Sequence, residues 1–197
     1  MGIKSFLKDL LKKRRKMGLD ELEIKFTLPL LNISGRFTPN AAEKMASWEL
    51  YVELITRISV AELKDNEGIL REALNSLYAI FQVTRDILKK YGPEIATPRK
   101  EGEYSFGKLA VIILNHKLRP FLTKWHPLLQ EYEAKRPPDV SIKEHEERWE
   151  KNDEMRKELK DLRKLLSEYA KILAQAAGVE FFLKDEDQFY SKEFTEE

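Results

Sequence analysis

Arg119 and His126 are separated by six residues in LNHKLRPFLTKWHPLL, residues 114–129, within an otherwise oily helical pattern. The pair has a recognisable chemistry. A histidine titrates near neutrality and can move a proton to or from a hydroxyl or a leaving oxygen, while an always-charged guanidinium steadies a phosphate. Asn115 shares their helical face. Other polar residues recur at helical spacing in two further stretches. Glu49, Glu53 and Arg57 step by four through WELYVELITRI, and Arg71, Asn75, Tyr78, Gln82 and Arg85 form one stripe in ILREALNSLYAIFQVTRDIL. If these stripes face one another, carboxylates, arginines and amides meet inside the protein, where each buried charge requires a partner. The competing reading makes them register-fixing residues or the solvent side of each helix.

The spacing of Arg119 and His126 resembles the R-x(4–6)-H pattern of the HEPN superfamily, with Pro120 where a polar residue often follows the arginine. That resemblance implies an all-helical bundle, metal-independent ribonuclease or toxin activity carried by Arg119 and His126, and action as a dimer. The stripes WELYVELITRI, NSLYAIFQVTR and LRPFLTKWHPLL also resemble those of uncharacterised helical proteins from bacterial genomes, some of them in phage-defence or conflict gene clusters. This likeness spans about residues 38–178 and implies an accessory role.

Other chemistries lack their residues. The chain has no cysteine and only three histidines, which removes disulfides, thiolate catalysis and cysteine-based zinc sites. No Glu-x-x-His pair recurs on two helices as a di-iron bundle needs, and HEERW at 145–149 lacks the second histidine of a zinc-protease helix. Glycine-rich phosphate loops and a Gly-x-Ser-x-Gly elbow are missing as well. The sequence therefore predicts neither metal nor cofactor.

The elements that must position these residues are legible from period and punctuation. With 197 residues, 42% of them apolar, the chain can bury a core, and its 35% charged residues sum to only +1. Any electrostatic attraction is therefore local. Residues 3–16 read as a basic amphipathic helix, with Lys8, Lys12, Lys13, Arg14, Arg15 and Lys16 beside Phe6, Leu7, Leu10 and Leu11. It suits docking on a protein, on RNA or DNA, or, with its short apolar face, less readily on a membrane surface. Residues 180–197 are correspondingly acidic. Between them, ELEIKFTLPLLNISGRF alternates at a strand period, with Pro29 as a break and Ser34-Gly35 as a turn. Such a two-stranded ribbon must pack on helices or pair with a partner strand.

Four long helices follow. The first runs over residues 39–63 behind a Thr38-Pro39 cap, and the second runs from near Glu67 to Gly92-Pro93. Ser105 caps the third, which ends at Pro137-Pro138. A Ser141-x-x-Glu144 capping box opens the fourth, and Gly178 closes it. Short connections predict a mainly α fold, an antiparallel up-down four-helix bundle with the basic helix and a short β-hairpin. The divisions are residues 1–37, 38–179 and 180–197. In the fourth helix Met155, Leu159, Leu162, Leu166, Tyr169, Leu173 and Ala176 form a packing seam, while KEHEERWEKND is expected to project as a charged arm on which Trp149 either packs locally, the favoured reading, or anchors a partner. No apolar run approaches a membrane span and no signal peptide is evident, so a cytoplasmic location is expected. The resulting functional reading is a non-enzymatic protein-interaction subunit that binds one or more proteins or a second copy of itself. The alternatives are a HEPN-like ribonuclease or toxin, and nucleic-acid or membrane binding through the basic helix.

Overall fold

The computed structural model describes residues 22–57 and 68–182. The predicted basic helix, with Lys8, Lys12, Lys13, Arg14, Arg15 and Lys16, and most of the acidic terminus lie outside the described residues. Within them the protein is mainly helical, with a small sheet.

The alternating segment forms β1 (Ile24–Leu28), whose Ile24, Phe26 and Leu28 face inward and whose Lys25 and Thr27 face solvent. A one-turn 3-10 helix over Pro29–Leu31 and Asn32, at φ 52°, reverse the chain into β2 (Ile33–Phe37), which pairs antiparallel with β1 from Ile24 opposite Phe37 to Leu28 opposite Ile33. One expectation changes here. The reversal lies at Pro29–Asn32, while Ser34-Gly35 sits inside β2. Of the two alternatives for the ribbon, packing on a helix is the one seen, since β1 lies on the last long helix, and β3 (Glu103–Tyr104) adds parallel to β2. Gly35 is required by this arrangement. A Cβ there would stand 2.4 Å from the Tyr104 ring and 2.7 Å from the Gly102 carbonyl oxygen.

Helix α1 (Ala41–Ile55) begins two residues later than Thr38-Pro39 suggests, because Asn40 and Glu43 form a reciprocal capping box. Its expected extension to residue 63 falls largely outside the described residues. Helix α2 (Leu70–Tyr91) ends at Gly92, whose φ of 60° favours glycine. The third predicted helix is α3 (Phe106–Ile113), a π-helical turn over Leu114–Leu118, and α4 (Arg119–Glu133), with helical backbone dihedrals at each junction, and it ends before Pro137-Pro138. The π turn has a local cause. In an unbroken α-helix the Pro120 ring would crowd the His116 carbonyl, and its nitrogen could donate nothing. Widening the preceding turn, with the Arg119 amide reaching Leu114 oxygen, accommodates the proline.

The fourth predicted helix is two. Ser141 caps only α5 (Ile142–Glu147), and α6 (Asn152–Ala177) starts afresh and closes at Gly178 in a left-handed conformation. All seven seam residues of α6 are buried. Helix α6 packs chiefly against α1, α1 against α2, and α2 against α4. The expected projecting arm is instead folded in. His145, Glu146, Trp149 and Asn152 are buried, Trp149 at 6% exposure. Its indole stacks on Tyr132 at 5.5 Å and meets Trp125 edge-on at 5.9 Å, so it is core and cannot anchor a partner as an exposed side chain.

Two buried carboxylates fix helix starts from a distance. Glu43, with no exposed surface, accepts from the Asn40 amide at 2.8 Å, from the Phe106 amide at 3.1 Å and from Arg99 at 2.7 Å, thereby holding the first turns of α1 and α3 together. Glu146 accepts from the amides of Leu70 at 2.8 Å and Arg71 at 3.3 Å. Helix α2 has Ile69 at its N-cap and no local side chain to satisfy these donors, so α5 supplies one. Burial raises the Glu146 pKa above its ordinary value, against the opposing pull of the two amides.

Candidate functional site: a basic groove between two helices

Helix α4 places an ionisable side chain at every seventh position on one face. Arg119, His126 and Glu133 follow one another along it, and α2 presents Arg71, Tyr78, Gln82 and Arg85 opposite. The result is an open groove of about 650 Å³ lined by Tyr78, Phe81, Gln82, Arg85, Arg119, Leu122, Thr123 and His126. The α2 stripe and the α4 stripe thus come together. The α1 stripe does not join them. Glu49 accepts from Tyr91 hydroxyl at 2.6 Å and from Lys90, tying α1 to the end of α2, and these hydrogen bonds lower its pKa although burial opposes them. Glu53 pairs with Arg57 within its own segment, and Asn75 is exposed on α2.

At one end of the groove Arg71 is neutralised. Its Nε lies 3.0 and 3.1 Å from the two carboxylate oxygens of Glu133, its Nη2 donates to the same group at 2.6 Å, and its Nη1 stands 3.1 Å from His126 Nδ1. A guanidinium can only donate. His126 Nδ1 must therefore offer a lone pair, which places the ring proton on Nε2 and makes the imidazole neutral. Burial first, and then the positive charge of Arg71, hold the His126 pKa below its ordinary value, with Glu133 pulling weakly the other way. Nε2 is occluded from water and has no hydrogen-bond partner among the described residues. Tyr78 approaches the His126 ring edge to face at 6.1 Å.

At the other end the charge is uncompensated. Arg119 donates through Nε to Asn115 Oδ1 at 3.1 Å and lies over the Phe81 ring at 5.4 Å, which orients the guanidinium while leaving its outer nitrogens available. Asn115 itself is positioned by the π turn. Arg85 is exposed and has no ion pair among the described residues. Among the described residues no carboxylate lines the groove; Asp86, next to Arg85 in sequence, instead accepts the Gln82 amide at 2.9 and 3.0 Å. Formal charge over the lining side chains is thus positive, from Arg85 and Arg119, with His126 neutral. Phe81, Leu122 and the 64% exposed Tyr78 add apolar surface beside it.

The chemistry of these side chains suits holding an anion better than transferring a proton. In its present state His126 has no free lone pair to act as a base, and the neutral Nε2–H is far too weak an acid to release its proton. Among the described residues no cluster of three or more His, Asp or Glu side chains is placed to hold a metal ion, and no helix is long and apolar enough to cross a membrane.

Sequence reasoning found Arg71, Tyr78, Gln82, Arg85, Asn115, Arg119 and His126 but missed Glu133, Glu146 and the lining residues Phe81, Leu122 and Thr123. Glu133 had a signal, the second seven-residue step from Arg119 through His126. Glu146 had none locally, because it acts across the fold on α2. No family model matches the chain, and no protein of curated function and no solved structure matches it either.

Proposed function

We propose that this protein is a non-enzymatic binding protein, an accessory subunit of a bacterial multi-component system, that takes an anionic group of its partner in the groove between α2 and α4. The reading takes the long helices as an antiparallel up-down bundle whose second and third members form that groove. The observation that carries it is the pair of guanidinium groups, Arg85 and Arg119, that have no ion pair among the described residues, on a groove to which no described carboxylate contributes. Charged hydrogen bonds from such fork-shaped donors contribute about 1.5–3 kcal/mol each. The test is affinity capture from the native host with the wild-type protein and with R85Q/R119Q as matched baits, after nuclease treatment. A component retained by the first and lost by the second is expected; identical eluates would remove the groove from the function.

A second reading, metal-independent ribonuclease or toxin activity, draws support from the meeting of Arg119 and His126 on one groove. It requires His126 to release Arg71 before it can accept a proton. RNA cleavage in EDTA that disappears in His126→Ala at unchanged helicity would establish it. Cleavage that survives the substitution would exclude these residues. Binding through the basic helix at residues 3–16 stays a separate proposal, tested by deletion of residues 1–17 and by salt dependence.

A further inference from the structure

The groove carries a more specific statement about its ligand, one that rests on the anion-binding reading. We propose that the group recognised is a phosphomonoester dianion attached to an apolar or aromatic body. Three observations converge on it.

The first is charge. Arg85 and Arg119 supply two positive charges to the groove, and Arg71, the third guanidinium in this region, is already neutralised by Glu133. A carboxylate, a sulfate ester or a backbone phosphodiester brings one negative charge and leaves one arginine uncompensated. A phosphomonoester, with a second pKa near 6, brings about two at neutral pH. The second is donor count. Arg119 keeps its two outer nitrogens free because only Nε is engaged by Asn115, Arg85 offers its whole fork, and Thr123 adds a hydroxyl on the same lining. A carboxylate has two oxygens to present to these donors; a phosphomonoester has three strong acceptor oxygens. The third is the apolar shelf. Phe81 and Leu122 form part of the wall, and the Tyr78 ring is 64% exposed although it is held edge to face against His126. Inorganic phosphate would leave this surface unused. A volume of about 650 Å³ accommodates a body as well as the phosphate.

Calorimetric titration of the full-length protein at pH 7.5 and low salt, with phenyl phosphate as the probe, tests the assignment. Phenyl phosphate is expected to bind about tenfold or more tighter than phenyl sulfate, a monoanion of the same shape, and tighter than inorganic phosphate. The preference over phenyl sulfate should collapse at pH 5, where phenyl phosphate is mostly a monoanion. Arg85→Gln and Arg119→Gln should each weaken binding about tenfold, while Arg148→Gln, an exposed arginine outside the groove, should not. Equal affinity for phenyl phosphate and phenyl sulfate would overturn the dianion. Equal affinity for phenyl phosphate and inorganic phosphate would overturn the body. A short RNA with only diester phosphates that bound in the groove more tightly than phenyl phosphate would overturn both. If none of these anions bound while capture of a partner still depended on Arg85 and Arg119, the phosphate assignment would fail and the binding-protein reading would stand. The source of the group is separated by phosphatase: partner capture abolished by prior treatment places the phosphate on the partner, and phenyl phosphate binding with capture unaffected places it on a free small molecule.

Discussion

Arg71 Nη1 stands 3.1 Å from His126 Nδ1, and this single contact decides the state of the only histidine in the groove. The donor cannot become an acceptor, so the imidazole must stay neutral for the contact to exist. Two measurable consequences follow from the sign of the shift. Burial and Arg71 lower the His126 pKa, so the folded protein binds fewer protons here than the unfolded chain does. The stability contributed is complete above the unfolded value of about 6.5 and is lost as pH falls from there through the folded pKa. Urea unfolding of wild type and His126→Gln across this range should show the wild type losing stability relative to the variant as the solution is acidified. Parallel curves would contradict the pairing.

Removing the arginine tests the same contact from its other side. In Arg71→Met the repulsive charge disappears and Glu133 loses its partner, and both changes favour the imidazolium. The His126 pKa, followed by imidazole nitrogen and proton shifts in NMR, is expected to rise, and the wild-type ring should show the Nε2–H tautomer. A His126 pKa insensitive to Arg71 would mean that desolvation alone sets it.

Glu146→Ala removes a cap that lies 76 residues away in sequence from Leu70. The Leu70 and Arg71 amides would be left in a buried helix start with no acceptor, at a cost of about 1–3 kcal/mol. The loss should be local first. Amide exchange over the first turn of α2 is expected to accelerate more than exchange in α6, and uniform acceleration would show that the carboxylate supports the fold in some other way.

These non-local contacts mark where the sequence stops being legible. The seam of α6 and the core face Leu114, Leu118, Phe121, Leu122, Trp125 and Leu129 were readable because a 3.6-residue period states burial directly, and all of them are buried. The alternation of β1 was readable for the same reason. The break at Arg148–Lys151 was not. A capping box and a long polar run describe one continuous helix equally well, and only the burial of His145, Glu146 and Trp149 against α4 and the start of α2 bends the chain. The two-residue β3 lacks any periodic signal, being defined by its pairing with β2. In the groove the two stripes were visible, yet nothing in a sequence says which stripes meet. The α1 stripe recurs at helical spacing just as the α2 stripe does, yet its glutamates bind Lys90 and Arg57 elsewhere.

Gly35→Ala probes the close approach of β2 to the chain around β3. Its Cβ would meet both a ring and a backbone oxygen well inside van der Waals contact, and the carbonyl of Gly102 accepts from the Arg36 amide at 2.9 Å and so cannot withdraw without losing that bond. A loss of about 1–3 kcal/mol is expected by chemical denaturation. A neutral substitution would indicate that β3 is free to move off the sheet.

Glu43 is the most demanding position, because its carboxylate is fully buried and accepts from three separate groups, the Asn40 amide, the Phe106 amide and Arg99, while its own amide donates to Asn40 Oδ1. Glu43→Ala would leave the half-buried Arg99 without its countercharge and two amides without acceptors, at a cost of about 1–3 kcal/mol for each amide left bare. Glu43→Gln keeps the shape and one carbonyl acceptor but cannot satisfy Arg99 electrostatically, so it should fall between Ala and wild type. Replacing both members with Glu43→Gln and Arg99→Met separates charge from shape. If the pair is held mainly by its charge, the double variant recovers part of the stability that Glu43→Gln loses, because no uncompensated guanidinium remains inside. Denaturant midpoints for wild type, Glu43→Gln, Arg99→Met and the double variant measure this coupling, and strictly additive losses would show that Glu43 acts through the backbone amides alone, independently of Arg99.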